Sequence, residues 1–333
     1  MLDISIVVPV YDEEESIPEL EAWIRKVMAA NKFRYEIIMV DDGSKDNSWK
    51  VIESLVEAND AVKGVKFRRN YGKSAALNTG FGVAEGDVVI TMDADLQDSP
   101  DEVPDLYRMI MKDGYDLVSG WKKKRHDPLS KTIPSKFFNG ITRYVSGIKL
   151  NDFNCGLKAY KNSVVKSIEV YGEMHRYIPV IAKWSGFNNV GEKVVQHQER
   201  KYGVGKFNGW YRGVKGLLDL SSIMFVGKFG KRPMHFFGPI GVLMFLVGFF
   251  AAAYIGIVKL IRLSNGANPG LVVENPWFFI SLTSMILGTL LFMGGFLAEL
   301  MSRTATDRNK YLIEKQIGNG DAINNSVGQN RNS

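Results

Sequence analysis

The chain begins with two interleaved periods. Short, β-branched apolar runs at residues 4–10, 35–40, 65–70, 87–92 and 116–120 read as buried strands. Between them lie amphipathic stretches at 16–30, 47–58, 73–85 and 101–113 whose apolar positions recur at helical spacing. The first of these starts with Ser16 as a helix cap and Pro18 in the opening turn. Strand–helix alternation of this kind predicts a parallel sheet with helices on both faces, an α/β fold. In such sheets ligands bind at the carboxyl ends of the strands. Those ends read "PVYDEE", "VDDGS" and "DADLQD". All three are acidic.

After about residue 208 the pattern changes. Residues 236–258 and 275–298 carry no charge, and each run is long enough to cross a ~30 Å hydrocarbon layer as a helix. Aromatic residues sit at their edges, and Lys228, Lys231, Arg232, Arg303, Arg308 and Lys310 flank the pair, which puts both flanks in the cytoplasm and the short connection outside. The organisation expected is a cytoplasmic domain at 1–207, an interfacial amphipathic segment at 208–233, two membrane helices (about 236–260 and 275–299) within 234–302, and a polar cytoplasmic tail at 303–333 that is disordered beyond about Gly318. The opening "MLDISIVVPVYDEEE" has no basic n-region and does not read as a signal peptide.

Composition adds two constraints. With 42 Lys and Arg against 36 Asp and Glu the formal charge is +6, a balance that suits either nucleic acid or an anionic membrane. No nucleic-acid-binding module surrounds the basic run "GWKKKRHDP" (120–128), so membrane lipids or a lipid phosphate are the partners it fits, beside the plain reading of a solvated loop. The single cysteine, Cys155, excludes an intrachain disulfide and reads as a small buried hydrophobe.

The chemistry concentrates at "ITMDADLQDSP" (90–100), where an apolar run stops at Asp93 and Asp95. Two carboxylates at a strand exit repel one another unless a cation lies between them. A hard ion such as Mg²⁺ takes one or two carboxylates and completes its shell with phosphate oxygens and water, so Asp93 and Asp95, with Gln97 as a further oxygen, read as a metal–diphosphate clamp. "VDDGS" (40–44) reads equally as a base or ribose acceptor and as a turn with a helix cap. "NYGKSAA" (70–76) fails as a Walker A loop because Phe67 stands where its first glycine is required. "ERKYGVGKF" (199–207) places Arg200 and Lys206 on a glycine-bearing loop that is either a diphosphate lid or a basic surface loop. His175 and His197 lack metal-ligand spacing and read as structural or surface residues.

The series "VVPVYDEEE", "VDDGS", "N-x-G-K-S-A-A-L-N-T-G", "DADLQ" and "R-K-Y-G-V-G-K" resembles the family 2 glycosyltransferases. Within them it is similar to the polyprenyl- and dolichyl-phosphate hexosyltransferases with two C-terminal transmembrane helices, over roughly residues 3–305. The resemblance implies a GT-A (Rossmann-like) nucleotide-sugar-binding domain followed by a transmembrane helical hairpin. It implies inverting transfer of a hexose, glucose ahead of mannose, from a UDP- or GDP-sugar, UDP ahead of GDP, to undecaprenyl or dolichyl phosphate. The work would be done at the cytoplasmic face of a bacterial inner membrane, with Mg²⁺ or Mn²⁺ as cofactor, and is compatible with a homo-oligomer. By the same resemblance Pro9, Tyr11, Glu13, Val40 and Asp42 hold the base and ribose, and Asp93, Ala94, Asp95 and Gln97 form the diphosphate–metal motif. Lys122, Arg200 and Lys206 meet the diphosphate, and Asp152 is a later acidic position of the active site that orients the acceptor or takes a residual proton. The chain departs from the family pattern at Gly205, where Ser is frequent, and at Lys122, where Arg is frequent. Two alternatives are a processive polysaccharide synthase, which needs more membrane helices and a Gln-x-x-Arg-Trp type motif, and a non-catalytic membrane protein that holds a nucleotide sugar.

Overall fold

The structure is a computed structural model of the 333-residue chain and describes residues 2–123, 139–144, 146–202, 233–268, 270–304 and 313–317. It divides into two units, Met1–Ser221 together with Asn309–Ser333, and Ser222–Arg308. The first unit is built on an eight-stranded sheet: β1 (Ile4–Val10), β2 (Tyr35–Asp41), β3 (Val62–Phe67), β4 (Val88–Thr91), β5 (Leu117–Trp121), β6 (Lys158–Lys161), β7 (Val190–Val194) and β8 (Ile313–Ile317). Their order across the sheet is β7-β5-β6-β4-β1-β2-β3-β8.

β1 is central and runs parallel to β2 and β4, with Val10 opposite Asp41 and Val7 opposite Thr91. Parallel register brings the carboxyl ends of β1, β2 and β4 to one edge of the sheet, and with them Asp12, Asp42 and Asp93. Ile4, Ile6, Val8 and Val10 pack with Ile17, Leu20 and Ile24 of α1 (Ile17–Asn31) in the main core. On the opposite face Val7 receives α3 (Lys73–Val83) at Gly80, where an added Cβ would collide with Val7 Cγ1. Pro9 sits in this central strand without loss. Val7 O accepts from Met92 N on the β4 side and Val10 O from Asp42 N on the β2 side, so position 9 turns its missing N–H toward β4 after that ladder has ended.

Four expectations are corrected. The sheet is mixed rather than parallel: β6 lies between β4 and β5 and is antiparallel to both, because the chain after residue 148 returns across the sheet before entering "LKAY". The third strand is Val62–Phe67 instead of 65–70, since Arg68, Arg69 and Asn70 are exposed and Gly64 is accommodated within the strand. Ser16 precedes α1 but makes no side-chain cap; its hydroxyl donates to Glu13 O and to the Glu13 carboxylate. Finally, part of the stretch read as a polar tail is β8, antiparallel to β3 with Ile317 opposite Gly64. A side chain at Gly64 would fall 2.8 Å from Ile52 and 3.0 Å from Ile317, so the glycine makes room for the returning strand. Lys315 adds an ion pair to Glu53 at 3.0 Å. The segment 208–232 and the residues after 317 lie outside the described residues.

Two long apolar helices, α7 (Met234–Ser264) and α8 (Pro276–Thr304), make up the described part of the second unit with a short turn between them. They are numbered after α2 (Ser48–Ala58), α4 (Val103–Met111), α5 (Asn162–Ser167) and α6 (Ile178–Trp184) of the first unit. Both are long and apolar enough to cross a membrane. They meet through small residues: an added Cβ at Gly241 would lie 2.6 Å from Gly288 O, and one at Gly248 2.5 Å from Ser281 O. The Ser284 hydroxyl donates to Met244 O at 2.8 Å. Without a hydrophobic drive between helices in lipid, close backbone approach of this kind is what holds a hairpin.

The contact between α3 and β1 is testable. Gly80→Ala should lower stability by about 1–3 kcal/mol through overpacking against Val7. In a detergent-solubilised thermal melt this appears as a clear fall in Tm; an unchanged Tm would contradict the packing of α3 on β1.

Candidate active site

The loops that follow β1 and β2 are laced together. Asp12 N donates to Ser44 Oγ at 3.0 Å, Glu13 N to Ser48 Oγ at 2.9 Å, and Asp12 Oδ1 accepts from Lys45 N at 2.7 Å. Asp12 takes a left-handed backbone, φ 51°, which a non-glycine residue adopts at a cost on the order of 1 kcal/mol. Val40 is fully buried, and Tyr11 and Glu13 line the rim with partial exposure. The buried Asp42 accepts from Tyr71 N at 2.6 Å and Gly72 N at 2.9 Å. Burial drives its pKa to about 6 against the pull of those two N–H groups. Of the two readings left open for Asp42, the structure adds a concrete role: it ties the loop before α3 to the end of β2.

That loop matters because α3 opens with Lys73, whose ammonium is ion-paired with Asp93 Oδ1 at 2.5 Å. The segment dismissed as a failed phosphate loop therefore supplies a cation to the carboxylate pair. Three acidic side chains crowd the exit of β4. Burial acts to raise the pKa of Asp93, but the charges of Lys73, Lys122 and Lys158 outweigh it and hold the group well below the usual carboxylate range. Asp95 is pushed the other way, by burial first and then by the charges of Asp93 and Asp98. Asp98, fully buried, is ion-paired with Lys122 at 2.8 Å. Burial acts against the Lys122 ammonium, yet Asp98, Cys155 and Asp93 raise its pKa on balance. Lys122 is thus committed to Asp98. Ala94 is buried in the turn, and Leu96 completes it at φ 60°, an outlier for a bulky residue that marks a constrained loop.

The 195–202 segment docks on this turn. Asp98 and His197 form a bridge, Gln198 N donates to Gln97 O at 3.0 Å, and the Gln97 amide donates to Gln198 O at 3.4 Å. The register delivers Arg200 to Glu13, with which its guanidinium is ion-paired, while its Nε donates to Tyr202 O at 2.8 Å. Two residues expected to share a nucleotide site, one from each end of the domain, are therefore in contact. Lys206 lies outside the described residues. Asp152 is buried, with its backbone N–H on Glu192 Oε1 at 3.0 Å and its Oδ1 accepting from Asn154 N at 3.0 Å, six residues before the start of β6 at Lys158.

The residue types fit a divalent cation. Asp93 is paired with Lys73, but Asp95 has no such partner among the described residues: burial first, and then the charges of Asp93 and Asp98, raise its pKa, and a cation would relieve both. Among the described residues no cluster of three or more acidic, His or Cys side chains has metal-holding geometry. Two carboxylates beside a diphosphate and water are what Mg²⁺ or Mn²⁺ takes.

Gly156, Lys73, Asp98 and Lys158 are site residues that sequence reasoning did not single out. Gly156 is the tightest: a Cβ there would lie 2.5 Å from Asp93 Oδ2. Gly156→Ala should displace the carboxylate and weaken UDP binding in the presence of Mn²⁺ by ~10-fold or more, the equivalent of about 1–3 kcal/mol of overpacking. Titration calorimetry on folded protein reads this, and an unaltered affinity would contradict the placement of Asp93 against Gly156.

Residues 5–168 match the family described as Glycosyl transferase family 2. The dodecaprenyl-phosphate galacturonate synthase of Rhizobium johnstonii is 34% identical over 321 residues, covering 95% of this chain and 93% of that protein. The undecaprenyl-phosphate 4-deoxy-4-formamido-L-arabinose transferase of Pseudomonas syringae pv. syringae is 33% identical and covers 97% of this chain and 95% of its own length. Among solved structures, mannosyl-3-phosphoglycerate synthase from Rubrobacter xylanophilus matches with a TM-score of 0.56 at 15% identity, over 68% of this chain and 75% of that one. At that identity the likeness concerns the fold, which is GT-A. Kinship along nearly the whole length, the GT-A sheet and the acidic edge agree: the chain belongs to glycosyl transferase family 2 and is a glycosyltransferase related to the polyprenyl-phosphate sugar transferases.

Proposed function

We propose that the protein transfers one hexose from a UDP-sugar to a polyprenyl monophosphate at the cytoplasmic face of the membrane, with inversion at the anomeric carbon. The observation that carries this reading is the Asp93–Asp95 pair at the exit of β4, faced by Lys73 and flanked by the loop that bears Arg200. A divalent ion bound by Asp93 and Asp95, with Gln97 beside them, would supply charge neutralisation to the departing diphosphate. Arg200, held at the rim by Glu13, neutralises the same group, a role Lys206 shares by the family resemblance. The acceptor phosphate is already anionic and acts as the nucleophile, so no strong base is needed. One of its oxygens bonds to the anomeric carbon as the bond from that carbon to the diphosphate oxygen breaks. Asp152, buried beside the β6 turn, orients the acceptor.

The membrane assignment is supported by α7 and α8 and by the path of the chain. It leaves the sheet domain, passes through the helix pair, and returns to the same domain as β8. An even number of crossings is the simplest arrangement that lets one domain contain both ends. A hairpin of two helices offers no conduit for a growing polymer, which favours single transfer over processive synthesis.

With ¹⁸O-labelled polyprenyl phosphate, the product should retain the label in the sugar–phosphate bridge, carry a single phosphate and show a β linkage from an α donor by NMR. A product with two phosphates, or a long glycan, would overturn the reading.

A further inference from the structure

Below the Asp93 carboxylate lies a small cavity, about 10 Å³, with room for one water-sized group. Its wall includes Lys73, Thr91, Asn154, Lys158, Tyr160 and His175, and none of its lining residues is acidic. Two of these side chains end in amino groups. Lys73 is compensated by Asp93. Lys158 is 3% exposed; its Nζ donates to Cys155 O, burial presses its pKa below the usual lysine value, and among the described residues no carboxylate lies at ion-pair distance.

That isolation is unusual within this protein. Among the described residues only Lys63 and Lys158 are lysines buried below a tenth exposure, and Lys63 has Glu36 at 2.8 Å. A buried charge is costly unless paired and hydrogen-bonded, and an ammonium has three protons to place. The Lys158 backbone is fixed, because it opens β6 and pairs in register with Thr91, the last residue of β4 before the aspartates. His175 adds no charge: burial, together with Lys73, Arg176 and Lys158, presses its pKa well below the usual value, and its Nδ1 lies 3.1 Å from Ser74 Oγ. The cavity is therefore polar, oxygen-sized, lined by two lysine amino groups and by no acidic side chain, and through Lys73 and Gly156 it abuts the clamp.

We infer that Lys158 and Lys73 form an oxyanion subsite beneath Asp93 that seats one oxygen of an anionic substrate group. The inference rests on the donor-clamp reading of Asp93. Two groups of this chemistry reach such a site: the phosphate of the lipid acceptor, or a carboxylate on the donor sugar.

The test uses the full-length protein in detergent with three probes: UDP-galacturonate, UDP-glucose and undecaprenyl phosphate. Lys158→Met keeps the length of the stem and removes the charge. If the occupant is a sugar carboxylate, wild type binds UDP-galacturonate at least tenfold more tightly than UDP-glucose and the variant loses that preference. If it is the acceptor phosphate, the KM for undecaprenyl phosphate rises at least tenfold in the variant while donor preference stays fixed. Lys158→Arg restores part of either effect. A second variant guards against misfolding: Asn154→Asp, at an exposed position on the rim, places a competing carboxylate at the mouth and should shift the same parameter several-fold. Affinity for UDP alone should stay within twofold in Asn154→Asp. Loss of UDP binding in wild type would fault the donor-clamp reading; protection of wild type, but not of Asn154→Asp, by inorganic phosphate in a thermal melt would still support the subsite. The inference is overturned if Asn154→Asp leaves donor preference, acceptor KM and phosphate protection unchanged, or if a folded Lys158→Met does so.

Discussion

Everything at this site follows from placing Asp93, Asp95 and Asp98 within six residues at the end of one buried strand. In a low-dielectric setting three carboxylates so close cannot all stay ionised without counter-charge. The fold answers two of them. Asp98 has Lys122 from the end of β5, and Asp93 has Lys73 from the first turn of α3 with Lys158 behind it. Asp95 is left with burial and repulsion. On the proposed reading, that imbalance is what would make the turn a receptor for a cation and, through the cation, for a diphosphate.

The scaffold is arranged to keep this imbalance in place. Parallel register of β1, β2 and β4 aligns the acidic ends, while the antiparallel insertion of β6 brings Gly156 and Lys158 under the turn. The backbone of Leu96 is held in a left-handed conformation, and the 195–202 segment closes on it through Gln97 and Asp98. Local strain of this sort persists only where the surroundings over-determine it, and here they do. The same segment carries Arg200, so the turn that holds the aspartates also sets the position of a guanidinium on the other side of the groove.

The sequence announced the aspartates because an apolar run ended on them, and the membrane helices because charge vanishes for more than twenty residues twice. Lys73 was hidden by its surroundings: "NYGKSAA" was weighed as a phosphate loop, and its failure at Phe67 obscured a lysine that serves a carboxylate instead. Lys158 and Gly156 act through contacts across the sheet, which periodicity does not report. β6 escaped because its four residues, "KAYK", are too short to give a strand signal. β8 gave little: within Ile313–Ile317 only the two end residues are apolar, and the segment follows the membrane helices and reads as part of a polar tail.

The central claim is that Asp93 and Asp95 bind a divalent cation jointly with a nucleoside diphosphate. Mn²⁺ titration followed by electron paramagnetic resonance reads it directly, since free and bound Mn²⁺ are distinguished without turnover. With only two carboxylates from the protein, Mn²⁺ should bind weakly alone and at least tenfold more tightly once UDP is added, and Asp95→Asn should abolish the gain. Mn²⁺ binding that is indifferent to UDP, or a gain that survives Asp95→Asn, would contradict the account.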